Sequence, residues 1–451
     1  MRAMRLMVSL TLVLLAAPAA ASGPPRSAVD DRSSPLPGTA VLLRKTPAPG
    51  WAGEKRLERK VDDWEPAVAT DPAAPYVYTL HNRFGVHACL DCPDPAMILN
   101  ISVDGGATFG PDAFICRCKG VGEQFDPEIE VVPETGDVLA VWMNDWHVVF
   151  SKSTDHGAHW SRPVPVYGEL KWSDKPILVV GSDGRDVYVG FNGPTGGDAW
   201  ISASHDGGRT WTPVLVMRTR RYTFACGGYV APDGTITFTD ISYRYAGPKD
   251  VAQGPVQIHA FTSADGGTTW TSTLIDTLKL GVPCTSSGCY ADFYDSGPAL
   301  GGDANGHLVT VYDGAAVHGG PRTVYARSSI DGGLDWSDRV QLSPDGVNAA
   351  FPAAAGTDDG EVRAWFADQR TGRWNIWYTT SGDLGATWSK PVRISDAVSG
   401  APYKSRKGFS EFYGDYGEIA ITNAGATFAI WAEGRSYLGP GQVWFNRQVD
   451  V

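Results

Sequence analysis

Beyond its N-terminal stretch the chain has no uninterrupted apolar run of about 18 residues, so no later segment is long enough to cross a bilayer as a helix. Basic residues are also few. The 38 Lys and Arg stand against 50 Asp and Glu, for a formal charge of −12, and no long Lys/Arg run interrupts the acidic balance. Nucleic acid and anionic membranes need cationic surfaces, so both are excluded as expected partners. What abounds is turn formers: 53 Gly and 31 Pro in 451 residues, about one in five, which is hard to reconcile with a helical protein. With 43 % hydrophobic and 20 % charged residues the composition is globular, which rules out collagen and wholesale disorder.

The first 21 residues read as a signal peptide. Arg2 and Arg5 supply the positive start, Leu6 to Ala17 the apolar stretch, and Ala19-Ala20-Ala21 a small-residue cleavage site. No cysteine follows the expected cut, which argues against a lipid anchor, and the mature protein is expected to be secreted, soluble and monomeric. Residues 22–38 read as a flexible leader and 39–451 as a single domain. An exported protein permits disulfides. Cys89-x-x-Cys92 and Cys116-x-Cys118 are expected to form two bridges tying a loop of the first repeat to the next crossing, with a four-thiolate zinc site as the alternative. Cys284 and Cys289 are expected to close a short loop, leaving Cys226 as a buried thiol.

One short pattern organises the rest, Ser-x-Asp-x-Gly-x-x-Trp/Phe. It occurs at Ser102 to Phe109, Ser153 to Trp160, Ser204 to Trp211, Ser263 to Trp270, Ser329 to Trp336 and Ser381 to Trp388. Its aspartates are 51, 51, 59, 66 and 52 residues apart, a regularity that marks a structural repeat. Asp and Ser side chains bond nearby backbone groups in tight turns, Gly takes the positive φ such turns need, and the ring offers a flat packing surface. The six aspartates therefore read as structural.

Between the boxes lie β-branched and aromatic runs bounded by turn residues, such as Glu128 to Val132, Val138 to Trp142 and His147 to Ser151. Four strands per 50–60 residues is roughly the period of a propeller blade. Six sheets carry a box. A seventh set, Glu418 to Thr422, Thr427 to Trp431 and Gln442 to Asn446, lacks room for a fourth strand. The expected fold is an all-β, seven-bladed propeller whose ring is closed by an N-terminal strand, Thr39 to Lys45, that hides an open edge. A six-bladed ring with a separate C-terminal sheet is the competing count.

The boxes match the Asp-box (BNR) repeat, and from about residue 60 onward the chain resembles the secreted Asp-box propellers of the sialidase superfamily. That resemblance implies a box at the turn between the third and fourth strands of each blade, and a sialidase-like glycoside hydrolase acting on terminal acidic sugars. The Phe/Tyr-Arg-Ile-Pro motif that supplies one of the family's three substrate-gripping arginines does not occur here. No arginine is therefore transferred by motif.

With the boxes on one face, the blade-to-blade crossings and the loops between second and third strands converge at the opposite mouth of the axial channel. Asp126, Asp174, Asp415 and Glu418 are the acid/base candidates, with Tyr416 and Tyr294 as possible nucleophiles. Arg83, Arg244, Arg370 and Arg435 could clamp the carboxylate of an acidic sugar, and Trp64, Trp146 and Trp172 could stack on sugar rings. The expected partner is a carbohydrate or glycoconjugate. No cofactor is called for, although a structural calcium is compatible with the loops. Two alternatives stay open: a non-catalytic glycan- or protein-binding propeller, and a polysaccharide lyase using His81, His87 or His147 with tyrosine.

Overall fold

The computed structural model describes residues 46–86, 89–194, 197–218, 221–245, 252–281, 297–372, 374–395, 417–434 and 440–449. All regular elements among them are strands, arranged as seven four-stranded antiparallel sheets. The innermost strands are Asp62–Thr70, Gln124–Val131, Asp174–Val180, Tyr222–Val230, Ala299–Gly302, Ala349–Gly356 and Glu418–Ile421, for blades 1 to 7 in chain order. Each later strand in a blade pairs outward, and apolar clusters fill the wedges between adjacent blades. The protein is a seven-bladed β-propeller, not a six-bladed ring with an appended sheet. No helix among the described residues is long and apolar enough to cross a membrane.

The six boxes sit between the third and fourth strands of blades 1 to 6. Blade 4 shows their construction. The Ser263 hydroxyl donates to Asp265 Oδ1 at 2.8 Å and accepts the Gly267 N–H at 2.9 Å. Asp265 then accepts the Thr269 N–H at 2.8 Å and the Thr269 hydroxyl at 2.6 Å. Those Thr269 bonds, with the Ser263 hydroxyl, hold the Asp265 carboxyl down at about 2. The second glycine is obligatory. Gly208 has φ +87°, and a Cβ there would lie 2.1 Å from the Phe150 ring packed beneath it.

The ring is closed by an N-terminal strand, but a different one from that expected. Thr39 to Lys45 lies outside the described residues. The outer position of blade 7 is taken by Lys55–Arg56, which pairs with Gly441–Arg447 in the register Lys55↔Phe445 and Arg56↔Trp444. A Trp51↔Gln448 bridge continues the pairing. Buried Trp51 packs edge-on to Tyr378 of blade 6 at 4.9 Å, so the apolar anchor beside this segment selects it as the clasp.

The cysteines also differ from expectation. Cys89 bonds Cys92 and Cys116 bonds Cys118, so each bridge closes its own turn and none links the loop to the crossing. The Cα separations of 5.4 and 5.1 Å within each motif are already in bridging range. The bonded pairs leave no four-thiolate zinc site. Cys226 is half-buried and faces the channel, its thiol donating to the Phe224 carbonyl at 3.3 Å. Cys284 and Cys289 lie outside the described residues.

Candidate active site

Four inner strands begin with a bulge of the same design. In blades 1, 2, 3 and 6 the register slips between Trp64 and Ala67, Phe125 and Glu128, Asp174 and Ile177, and Ala350 and Ala353. Within each slip a left-handed residue precedes a proline: Glu65 (φ 55°), Asp126 (φ 50°), Lys175 (φ 49°) and Phe351 (φ 54°). Positive φ is unfavourable for residues with a side chain, at roughly 1–3 kcal/mol each, and is retained where the surroundings over-determine it. The bulge turns residues at equivalent places in blades 1, 2 and 3 toward one another.

The result is a cluster at the channel mouth. Lys175 Nζ lies 3.6 Å from Asp126 Oδ1. Glu65 Oε2 accepts the Asp126 backbone N–H at 3.0 Å and the Asn82 amide at 2.7 Å, joining blades 1 and 2. Asp174 is hydrogen-bonded to Asp126 through their carboxyls, and the Tyr222 hydroxyl donates to Asp174 Oδ2 at 3.2 Å. Glu65, Asp126 and Asp174 are all buried. Burial, followed by the Asp126 charge, pushes both Glu65 and Asp174 up to about 8. Lys175 is held above its ordinary value, because the attraction of Asp126, Asp174 and Glu65 outweighs the opposing cost of burial.

Deeper in the channel comes a second acidic group. Glu128 and Glu418 hydrogen-bond through their carboxyls, the Val68 N–H donates to Glu418, and Glu130 stands nearby. Burial raises Glu130 to about 8 and Glu418 to about 7, and lifts Glu128 well above the carboxylate range. These residues line a cavity of about 170 Å³ walled by all seven inner strands or their approaches. At the rim, half-exposed aromatics run from blade 1 to blade 2: Trp64 to Phe84 at 4.9 Å, Phe84 to Phe125 at 6.2 Å, and Phe125 to Trp146 at 5.8 Å. Trp64 and Phe125 immediately precede Glu65 and Asp126, so this apolar band borders the carboxyls.

Of the residues singled out from sequence, Asp126 and Asp174 meet here, Glu418 joins the deeper group, and Trp64 and Trp146 stand on the rim. Trp172 is half-buried in the crossing before Asp174. Each described arginine candidate is engaged close to its own strand. Arg83 grips buried Asp63 through Nε at 2.7 Å and Nη2 at 2.9 Å, and also pairs with Asp112. Arg370 is held by Asp368 at 2.7 Å, and exposed Arg244 donates to the Gly254 carbonyl at 3.0 Å. His81 is buried with Nε2 3.2 Å from Asp63, and His147 Nδ1 lies 2.8 Å from the Asp145 carbonyl, so neither reaches the cluster. Tyr294, Asp415, Tyr416, Arg435 and His87 lie outside the described residues. Among the described residues no group of three or more His, Cys, Asp or Glu could hold a metal ion.

Glu65, Glu128 and Lys175 lie in the crossings expected at the axis but are not among the residues singled out, and Tyr222 and Glu130 are the members that sequence reading missed. The available signal was a charged residue directly before proline in three successive blades: Glu65-Pro66, Asp126-Pro127 and Lys175-Pro176.

No protein-family model and no curated protein matches the chain. Among solved structures it is similar to a polysaccharide lyase, an ulvan lyase bound to a glucuronate–sulfated rhamnose saccharide, with a TM-score of 0.54 and 12 % identity over 87 % of this chain and 94 % of that one. It is also similar to a protein of unknown function from Dyadobacter fermentans (TM-score 0.49, 14 % identity, 89 % and 99 % covered). A third is the NanB sialidase of Streptococcus pneumoniae (TM-score 0.45, 11 % identity, 89 % and 70 % covered). At 12 % identity the likeness to the lyase shows the fold alone.

Proposed function

We propose that the protein is a secreted glycoside hydrolase whose reacting carboxyls are Glu65 and Asp126. The observation that carries the reading is the convergence of Glu65, Asp126, Asp174 and Lys175 from three successive blades, beside an aromatic rim. Glycoside hydrolysis needs one carboxyl that keeps its proton at neutral pH and another that acts as carboxylate. Glu65, raised by burial, is the general acid that protonates the leaving oxygen. Asp126 is the base or nucleophile, its charge balanced by Lys175 and supported by the proton of Asp174. Tyr222 and Asn82 orient Asp174 and Glu65. The sugar ring stacks on Trp64 and Phe125.

A sialidase-like preference for terminal acidic sugars needs several cations around one carboxylate. Arg83, Arg244 and Arg370 are engaged elsewhere, and Lys175 already faces three carboxyl groups. This favours a sugar without a charge of its own at the reacting position. The candidate leader and the paired cysteines support an exported enzyme. The decisive experiment is turnover of a panel of neutral aryl glycosides and a fluorogenic sialoside. Hydrolysis of a neutral glycoside, lost in Asp126→Asn and Glu65→Gln variants that remain folded, is the expected result. Glycan binding without any turnover would instead make this a binding propeller.

A further inference from the structure

The outer rim of blade 6 holds a second concave surface, at the opposite end of the blade from the channel-lining strand. There the outermost strand Val392–Arg393 pairs with Asn375–Ser381, making Trp377 and Arg393 direct cross-strand partners. Such partners share a face of the sheet. Trp377, Lys390, Pro391, Val392 and Arg393 line a shallow pocket of about 470 Å³.

The pocket has a rigid support and an unbalanced charge. The Arg370 guanidinium lies 3.7 Å from the Trp377 ring centroid, and Arg370 Nε donates at 2.7 Å to the fully buried carboxylate of Asp368. The indole is thereby held by an arginine that is itself fixed, so ligand binding need not order it. Lys390 and Arg393, by contrast, have no acidic partner among the described residues. Two such cations beside an aromatic plane stand out on a chain of formal charge −12.

We propose that this pocket is an accessory binding site for an anionic sugar unit, a uronate or sulfated residue within a glycan chain. The apolar face of the ring lies on the Trp377 indole, and the carboxylate or sulfate accepts hydrogen bonds from Lys390 and Arg393. Two cations can donate to separate oxygens of the one carboxylate or sulfate that such a unit carries. A nucleic acid strand would need a longer basic track than these two cations supply. The site is separate from the channel and does not depend on the reaction proposed there.

Calorimetric titration of the full chain with a galacturonate hexasaccharide tests it, with cellohexaose as the neutral control. The expected result is binding of the uronate chain that weakens with added salt and falls at least about tenfold in Lys390→Gln/Arg393→Gln. Circular dichroism and turnover of a small aryl glycoside by the channel should be unchanged in that variant. Trp377→Phe keeps a packed ring and should retain part of the affinity, which separates loss of stacking from loss of fold. No binding of the hexasaccharide, cellohexaose binding that falls equally in the double variant, uronate affinity that survives the double substitution, or displacement by ATP at lower concentration than by the free uronate would each overturn the proposal.

Discussion

Asp126 and Lys175 occupy the same left-handed position in the bulges of neighbouring blades, with φ of 50° and 49°, and their side chains meet at 3.6 Å. The strained backbone and the ion pair explain each other. Without the bulge, the two side chains would follow the ordinary alternation of their strands instead of turning toward a common point at the channel mouth. The pair also places a cation next to a carboxylate in a site otherwise lined by acids.

Replacing Asp126 by Asn should lower kcat at least about a hundredfold, because it removes the reacting carboxylate but keeps the shape. Lys175→Met should also cut kcat, and should shift the pH profile because Glu65 and Asp174 lose their neighbouring positive charge. Steady-state kinetics from pH 4 to 9 on a hydrolysed aryl glycoside would show both effects.

Activity should decline as pH rises through about 8, where Glu65 loses the proton it must donate. Glu65→Gln should abolish turnover across the whole range instead of moving the limb. A limb that persists in this variant would assign the acid to another group.

Stability should be greatest at mildly acidic pH. Glu65 and Glu130 are raised from 4.5 to about 8, so the native state binds more protons than the unfolded chain between those values. Stability therefore falls as pH rises across that window. Asp265 runs the other way. It is lowered from 3.8 to about 2, so its contribution is lost as pH drops through that range. Melting temperatures against pH should peak at about 4 to 5, and Glu130→Gln should flatten the alkaline side.

Gly208→Ala should destabilise the protein by about 1–3 kcal/mol, because it combines a left-handed φ with a methyl group driven into Phe150. Denaturant unfolding would measure this, and the channel chemistry should be unaffected in the folded fraction.

Trp51→Ala should cost about 3–5 kcal/mol by emptying a buried site against Tyr378. Since Trp51 anchors the strand that covers the edge of blade 7, light scattering should also reveal faster aggregation on heating.

The repeat and its turn chemistry were legible because each box is local. Ser263, Asp265, Gly267 and Thr269 lie within seven residues and bond one another, so their types and spacing carry the whole interaction. The closing strand was legible only in kind. An open edge calls for a partner, but pattern alone did not favour Lys55–Arg56 over Thr39 to Lys45, because the choice rests on Trp51 reaching Tyr378 of the neighbouring blade. The arginines illustrate the opposite difficulty. Arg83 and Arg370 look like ligand-binding residues in the sequence, yet buried Asp63 and Asp368 hold them.

The amino-acid order by itself determined seven small antiparallel sheets and the faces on which turns and crossings fall, since strand alternation and turn preference act over a few residues. Which charges meet at the axis was decided only by the tertiary structure. Glu65, Asp126 and Lys175 come from successive blades some 50 to 60 residues apart along the chain, and ring closure together with a proline-flanked bulge brings them into contact, where exclusion of water raises Glu65 and the surrounding carboxyls hold Lys175 in its charged form.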